Sequence, residues 1–353
     1  MKITDIETPA LILEKSIFDK NRRVMASLLS GSSMALRPHY KSHKCPAIAL
    51  IQLSDGAKGL TCAKLSEAED LADAGVSDIL IANQIIDEKK LSRLASLAGR
   101  CRLTVCVESA DNVLALAHAA SAAGTTVHVL IEYEIGMQRC GVESHEEVLA
   151  LARLISEQKS LRYEGIQAYA GNMAHEKSLE VRQAATDAIE ADLAALKAEL
   201  TAAGLPPAEI SGVSTGTVQT KPKASVYTEM QCGSYLFSDR AYRDLHLCFE
   251  NALFLLTTVM SVKPSRIVTD GGVKSLGMDQ GNPVVVGYED YPVGMSEEHS
   301  QIEVPGHSQR VGDRLRLIPG HCCTTFNLHD RVYLVDGEDV VDCWEITSRG
   351  RAQ

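Results

Sequence analysis

A lysine at a strand end, an arginine between two glycines, and a histidine two residues from a cysteine are the side chains in this sequence best placed to do chemistry. The segment ALRPHYKSHK ends a strand in a cluster of His39, Lys41, His43 and Lys44. A lysine held in a partly desolvated strand-end mouth has its pKa lowered, and its free amine can then form a Schiff base with an aldehyde cofactor. The competing reading is a solvated basic loop. In IEYEIGMQRCG, Gly136 and Gly141 flank Arg139, whose guanidinium could bind an anionic oxygen or simply make a surface ion pair. IQAYAGNMAH presents Tyr169 and then His175, and a lone imidazole is more commonly an ordinary loop residue. Ser214, Thr215, Gly216 and Thr217, with Gly233, Ser234 and Tyr235 further on, alternate small hydroxyl side chains with glycine. Such runs surround phosphates with backbone and side-chain donors. Neither a P-loop spacing nor a GxGxxG after the first strand is present, which disfavours a nucleotide triphosphate or dinucleotide.

In IPGHCCTTFNLHD, His321 and Cys323 lie two residues apart. On a strand both side chains would share a face, and imidazole with thiolate suits a borderline metal such as zinc. Cys322 would then face the other way, into the core, and His329 lies too far along to join them.

Elements that could position these groups are legible. From Thr8 to about Gly216, short β-branched runs alternate with longer Ala/Leu-rich stretches, the rhythm of a parallel α/β fold. The strand candidates are PALILE, ALRPHYK, GLTCAK, DILIAN, RLTVCVE, VHVLIEYE, YEGIQAYAG and EISGVSTG. Eight units predict a closed (β/α)8 TIM-type barrel, in which strand C-terminal ends converge on one catalytic mouth. Ser144 with Glu147 reads as a capping box, Gly124 and Gly204 follow helical C-termini, and Leu65, Ala68 and Leu71 share a helix face. After about Asp239 the pattern changes to short strands with Gly and Asp turns, among them RIVTDGG, SQIEVPG, DRLRLIPG and RVYLVDGED. This predicts a barrel over residues 8–242 and a C-terminal antiparallel β-domain over residues 243–353, joined by residues 1–7.

The 353 residues, 45% hydrophobic, suffice for a large core, and a net charge of −11 without a basic run excludes nucleic acid or an anionic membrane as partner. No stretch resembles a signal peptide or a membrane span, which predicts a cytoplasmic protein. Among ten cysteines, Cys62, Cys101, Cys106 and Cys248 sit in apolar or strand-like runs and read as reduced core thiols.

Taken together, TPALILE, RPHYKSHK, LSEAEDLADAGVSDILIAN, IEYEIGMQRCGV, GIQAYAGNMAH, STGT, TEMQCGSYLFSD, FENALFLL, EEHS and IPGHCCTTFNLHD resemble the D-threonine aldolase and D-serine dehydratase family. This is the metal-assisted branch of the alanine-racemase-like pyridoxal-phosphate enzymes. The resemblance implies pyridoxal phosphate on Lys41, with Lys44 as the competing lysine and His39 of the His-x-Lys sequence beside it. It implies Arg139 at the cofactor's phenolic oxygen, Tyr169 near the pyridine nitrogen, and Ser214, Thr215, Gly216, Thr217, Gly233, Ser234 and Tyr235 around the phosphate. His175 matches the histidine that acts on the substrate's β-hydroxyl in the aldolases, and His321 and Cys323 match the pair that holds a divalent metal.

Two lyase reactions fit that architecture: retro-aldol cleavage of a D-β-hydroxy amino acid to glycine and an aldehyde, and dehydration of D-serine or D-3-hydroxyaspartate to a 2-oxo acid and ammonia. LSEAE, DILIANQ, FENALFLL and the segment carrying His175 resemble the aldolase side, including D-threonine and 3-hydroxy-D-aspartate aldolases, whereas His-x-Cys in place of His-x-Asp resembles the dehydratases. Thiolate for carboxylate favours zinc over manganese or magnesium. The aldolase is the expected activity. A racemase would need a second base on the opposite face, for which no residue presents itself, and a non-catalytic cofactor carrier would lack the second domain. The resemblance also implies a small D-amino acid as substrate and a homodimer, with the metal pair serving either subunit's site.

Overall fold

The computed structural model describes residues 1–220 and 225–353. They form two compact units, one of residues 1–27, 42–48 and 234–350, the other of residues 28–41, 49–233 and 351–353. Strand β1 (Ala10–Glu14) belongs to the first. The next eight strands build the second: β2 (Ala35–Leu36), β3 (Leu60–Cys62), β4 (Asp78–Gln84), β5 (Arg102–Val107), β6 (Val127–Glu132), β7 (Leu161–Ala168), β8 (Glu209–Gly212) and β9 (Glu229–Met230). All their pairings are parallel, in the order β2-β9-β8-β7-β6-β5-β4-β3. The backbone after β2 closes the circle: His39 bridges Thr61 of β3 in parallel register, and Thr61 N–H donates to Pro38 O (2.9 Å). The result is the expected (β/α)8 barrel.

Helices cover the outside because their sequences offer one apolar stripe each. In His145–Glu157 the buried side chains are Val148, Leu151, Ala152 and Ile155, at helical spacing, and Ser144 with Glu147 makes the expected capping box. Leu65, Ala68 and Leu71 are likewise buried on the helix Leu65–Asp73, and Gly124 caps Ala110–Ala123 in the left-handed conformation. None of the described helices is long and apolar enough to cross a membrane.

The remaining strands are β10 (Leu253–Lys263), β11 (Arg266–Thr269), β12 (Val284–Val285), β13 (Val293–Met295), β14 (Ser300–Glu303), β15 (Arg314–Ile318), β16 (Arg331–Asp336) and β17 (Asp339–Glu345). With β1 they make a largely antiparallel sheet, as the turn-rich sequence predicts, around a core that includes Leu255, Val259, Ile267, Ile302 and Leu317. Two strand assignments change. PALILE, expected to open the barrel, pairs antiparallel with β10 and parallel with β16 instead. All five residues of β1 are buried, so a strand of this sheet reads like an inner barrel strand. The eighth barrel strand is β9, only two residues long and too short to carry a pattern. None of the ten cysteines forms a disulfide; Cys62 and Cys106 are buried as expected and Cys101 partly so, but Cys248 is exposed rather than in the core.

Charged side chains gather at the N-terminal ends of the barrel strands. The fully buried Arg37 guanidinium bonds Glu229 Oε1 (3.0 Å) and Asp78 Oδ1 (2.6 Å), and Lys58 Nζ joins Glu209 (2.7 Å) to Glu229 (3.0 Å). Arg102 Nη2 adds a bond to Glu209 (3.1 Å). Removing one member of such a set strands its partners as unpaired buried charge. Arg37→Ala is therefore expected to lower unfolding free energy by about 3–5 kcal/mol, measured as a shift in urea midpoint. Burial alone would raise the Glu229 carboxyl, but Arg37 and Lys58 hold it below its usual range. Its contribution to stability is thus complete above the unfolded carboxyl pKa and is lost as pH falls through the lower folded value.

Candidate active site

Lys41 sits where the barrel rule places chemistry, immediately beyond β2. The chain leaves that strand through Arg37 and Pro38, and Tyr40–Ser42 forms one tight 3₁₀ turn. Tyr40 is fully buried and its hydroxyl donates to Asp70 Oδ2 (2.7 Å), while His39 Nδ1 faces the Lys41 N–H at 3.4 Å. The turn is thereby pinned just ahead of the lysine. Lys41 Nζ lies 5.5 Å from the centroid of the Tyr169 ring, over its face.

Lys41, His39, Arg139 and Tyr169 line one cavity of about 130 Å³ at this end of the barrel. Lys41 is the one lysine in its lining among the described residues. The Arg139 side chain is half-exposed, with Nη2 3.4 Å from Glu132 Oε1. Glu132 also accepts from Gln84 Nε2 (2.5 Å); its burial raises the carboxyl and outweighs these two partners. The loop carrying Arg139 turns back at Gly141, where φ is 110° and a Cβ would meet Glu134 N at 2.9 Å, so only glycine serves there.

Ala63 and Ala82 also line the cavity, together with four residues that could bond a ligand and escaped the sequence reading: Asn83, Cys140, Gln167 and Gln231. Gln231 donates to Gln167 Oε1 (2.6 Å) and Ser211 Oγ (2.8 Å), tying together β7, β8 and the end of β9. Asn83 and Gln167 are polar strand-end residues and could have been found by that rule. Gln231 could not, since β9 itself was invisible.

The Ser-Thr-Gly-Thr run folds as the start of a 3₁₀ turn, Thr215–Thr220, directly after β8. Ser214 Oγ and Thr217 Oγ1 are 3.1 Å apart, and Arg182 Nη1 donates to Gly216 O (2.7 Å). Gly216 is required by close approach, because a Cβ there would meet Ala174 O at 1.9 Å. Ala174 precedes His175, so the partly buried histidine is carried by a loop seated on this turn. The Thr215 hydroxyl is buried and, apart from the Cys232 thiol, has no partner among the described residues. A small buried donor on a glycine-spaced turn suits a phosphate, and a single lysine in a polar cavity suits an aldehyde, so this unit's side chains fit pyridoxal phosphate. Gly233 ends the barrel unit, while Ser234 and Tyr235 begin the 3₁₀ turn Ser234–Leu236 in the other; Tyr235 is buried against Phe249 with ring centroids 5.8 Å apart.

His321 and Cys323 are brought together, but not on a strand. β15 ends at Ile318, and after Pro319 and Gly320 the chain enters the helix Cys322–Phe326 with His321 as its N-cap. Cys322 N–H donates to the buried Asp239 carboxylate (2.9 Å) and Thr325 Oγ1 to His321 O (2.7 Å), which closes the helical turn in place of an extended one. Cys322 is buried as expected, yet its sulfur is 3.9 Å from that of Cys323. The Cys322 hydrogen bond, followed by the bond and charge of His321, holds the Cys323 thiol well below its usual value, while burial pushes Cys322 far above its own. Burial disfavours charge on His321, but its bonds to Cys323 and Asp279 prevail and raise it to about 10. A thiol and an imidazole held this close are a fitting donor pair for zinc. Among the described residues no group of three or more His, Cys, Asp or Glu side chains is placed to hold a metal ion.

A parallel eight-stranded barrel with a strand-end lysine, joined in sequence to a β-domain bearing a His-x-Cys pair, defines an alanine-racemase-like enzyme. The chain matches the alanine racemase N-terminal domain over residues 15–241 and a putative serine dehydratase domain over residues 252–335. It is 39% identical to a D-threonine aldolase of Arthrobacter sp., over 98% of this chain and 93% of that protein. It is 37% identical to a 3-hydroxy-D-aspartate aldolase of Paracoccus denitrificans (strain Pd 1222), over 99% and 94%. The crystal structure of a D-threonine aldolase from Filomicrobium marinum superposes with a TM-score of 0.95 at 34% identity, covering 100% of this chain and 98% of that one. The protein belongs to the D-threonine aldolase family, a family of pyridoxal-phosphate-dependent lyases.

Proposed function

We propose that the protein is a D-specific aldolase that cleaves D-β-hydroxy amino acids of the threonine type to glycine and an aldehyde. The observation that carries this reading is the end-to-end likeness to two aldolases at 39% and 37% identity. Lys41 is the residue that binds the aldehyde of pyridoxal phosphate, Arg139 meets its phenolic oxygen, Tyr169 lies by its ring, and Ser214 to Thr217 with Gly233, Ser234 and Tyr235 hold its phosphate. His39 orients the turn that presents Lys41. His321 and Cys323 hold a divalent cation, with zinc the best match to their donor set. When bound, the cofactor supplies an electron sink for charge developing at Cα and the cation supplies Lewis acidity at the β-oxygen.

The protein's own part is positional and protolytic. His175 takes the proton from the β-hydroxyl as the Cα–Cβ bond breaks, and Arg139 and the Ser-Thr-Gly-Thr turn fix the reacting plane. The His-x-Cys pair favours the second reading, a dehydratase releasing ammonia and a 2-oxo acid. D-threonine, D-serine and 3-hydroxy-D-aspartate, each supplied with zinc or manganese, separate the two. Glycine plus aldehyde is expected; pyruvate or 2-oxobutyrate with ammonia overturns the aldolase. His175→Ala is expected to lower cleavage by about 10²–10⁴-fold while cofactor absorbance stays in place. Unchanged turnover would reject the role of His175.

A further inference from the structure

The structure assigns Asp279 a role in metal binding: we propose that it is the positioning residue that makes His321 Nε2, rather than Nδ1, the ligand atom. The inference rests on His321 and Cys323 forming the metal pair. Asp279 lies between β11 and β12, far from the pair in sequence, and no spacing rule would have pointed to it. Its Oδ2 is 2.6 Å from His321 Nδ1, and its Oδ1 accepts from Thr324 Oγ1, also at 2.6 Å. Both carboxylate oxygens are therefore committed, one to the imidazole and one to the helix that carries Cys323. A neutral imidazole that donates its Nδ1 proton to a carboxylate keeps its lone pair on Nε2, and the bond fixes the orientation of its ring.

The loop that carries Asp279 has little freedom. Gly277 N–H donates to Thr325 Oγ1 (3.0 Å), and a Cβ on Gly277 would lie 1.9 Å from Thr324 Oγ1. On the far side of Asp279, Gly281 O sits 2.0 Å from where a Cβ on Gly320 would be. Two close seats thus bracket the aspartate, Gly277 against the Thr324 and Thr325 side chains and Gly281 O against Gly320, and press its loop against residues 320–325. This is the arrangement expected of a carboxylate that orients a metal-binding histidine, since its own position is fixed before any ion arrives.

The test measures zinc affinity of the pyridoxal-phosphate-loaded protein by chelator competition, without reference to turnover. Asp279→Ala is expected to weaken zinc binding about 10–100-fold, and Asp279→Asn, which keeps an acceptor for Nδ1–H, to recover most of the loss. Cobalt substituted for zinc gives a second readout: the thiolate-to-metal absorption from Cys323 should persist in Asp279→Ala at saturating cobalt. Urea midpoints of the metal-free proteins control for folding. Equal zinc affinity of Asp279→Ala and the parent overturns the proposal, as does a loss as complete as that of His321→Ala, which would make Asp279 a ligand. If His321→Ala and Cys323→Ala themselves leave zinc affinity unchanged, it is the metal-pair reading that fails.

Discussion

Lys41→Ala is expected to lower turnover by at least about 10³-fold, equivalent to roughly 4 kcal/mol of lost transition-state stabilisation. On the proposed role of Lys41, two separate services disappear with the amine: the covalent hold on the cofactor aldehyde and the one lysine nitrogen that lines the cavity among the described residues. Borohydride reduction of the parent protein followed by peptide mapping should place the label on the peptide containing Lys41. In Lys41→Ala the label should vanish, and the cofactor should wash out on gel filtration. A label on Lys44 would sink the assignment. The structure already separates the two lysines: Lys41 lies in the 3₁₀ turn at the cavity, whereas Lys44 takes a left-handed conformation (φ 53°) in the other compact unit.

Cys323 is the second position where a large effect is expected. On the proposed metal pair, Cys323→Ala removes one of two protein ligands, and zinc affinity should fall by more than the ~10–100-fold typical of losing an outer-shell partner. Cys323→Asp is the more informative change. A carboxylate in place of the thiolate should turn preference from zinc towards manganese or magnesium, read by metal titration of the same preparation with each ion. Unaltered zinc binding in both variants would remove Cys323 from the metal site. The short helix beginning at Cys322 supports the side chain at 323 through its backbone, with Asp239 and Thr325 closing the turn, so aspartate there should leave the local fold unchanged.

Much of this architecture was legible because its physical causes are local. Parallel strands such as RLTVCV are buried on nearly every residue and stand out as continuous β-branched runs. Helix ends announce themselves through Ser144 and Gly124, whose conformations depend on their own side chains or the lack of one. What stayed hidden depended on partners distant in the chain. Nothing in PALILE distinguishes an inner barrel strand from one flanked by β10 and β16, since both fates bury the same residues. A two-residue strand such as β9 has no period to detect, and Gln231 was lost with it.

The site divides in the same way. Lys41, Arg139 and Tyr169 were found by combining residue chemistry with the strand-end rule, and the structure gathers all three around one cavity. The His321 and Cys323 pair was found from donor chemistry, but the geometry assumed for it was that of a strand. Pro319 and Gly320 together with the Asp239 cap produce an N-cap and first helical turn instead. Asp279 was out of reach, because its meaning comes only from contact with a histidine 42 positions further along the chain.

The ionic cluster around Arg37 has a consequence for how such a protein can diversify. Arg37, Lys58 and Arg102 offset Asp78, Glu209 and Glu229 near the strand starts, so this source of barrel stability does not draw on the loops at the strand ends. Those loops, from the Arg139 turn to the segment holding His175, can therefore be exchanged or lengthened to admit a different side chain on the amino acid. Grafting experiments aimed at a new substrate have the best prospects when every insertion is confined to that end and the six charged residues are left as they stand.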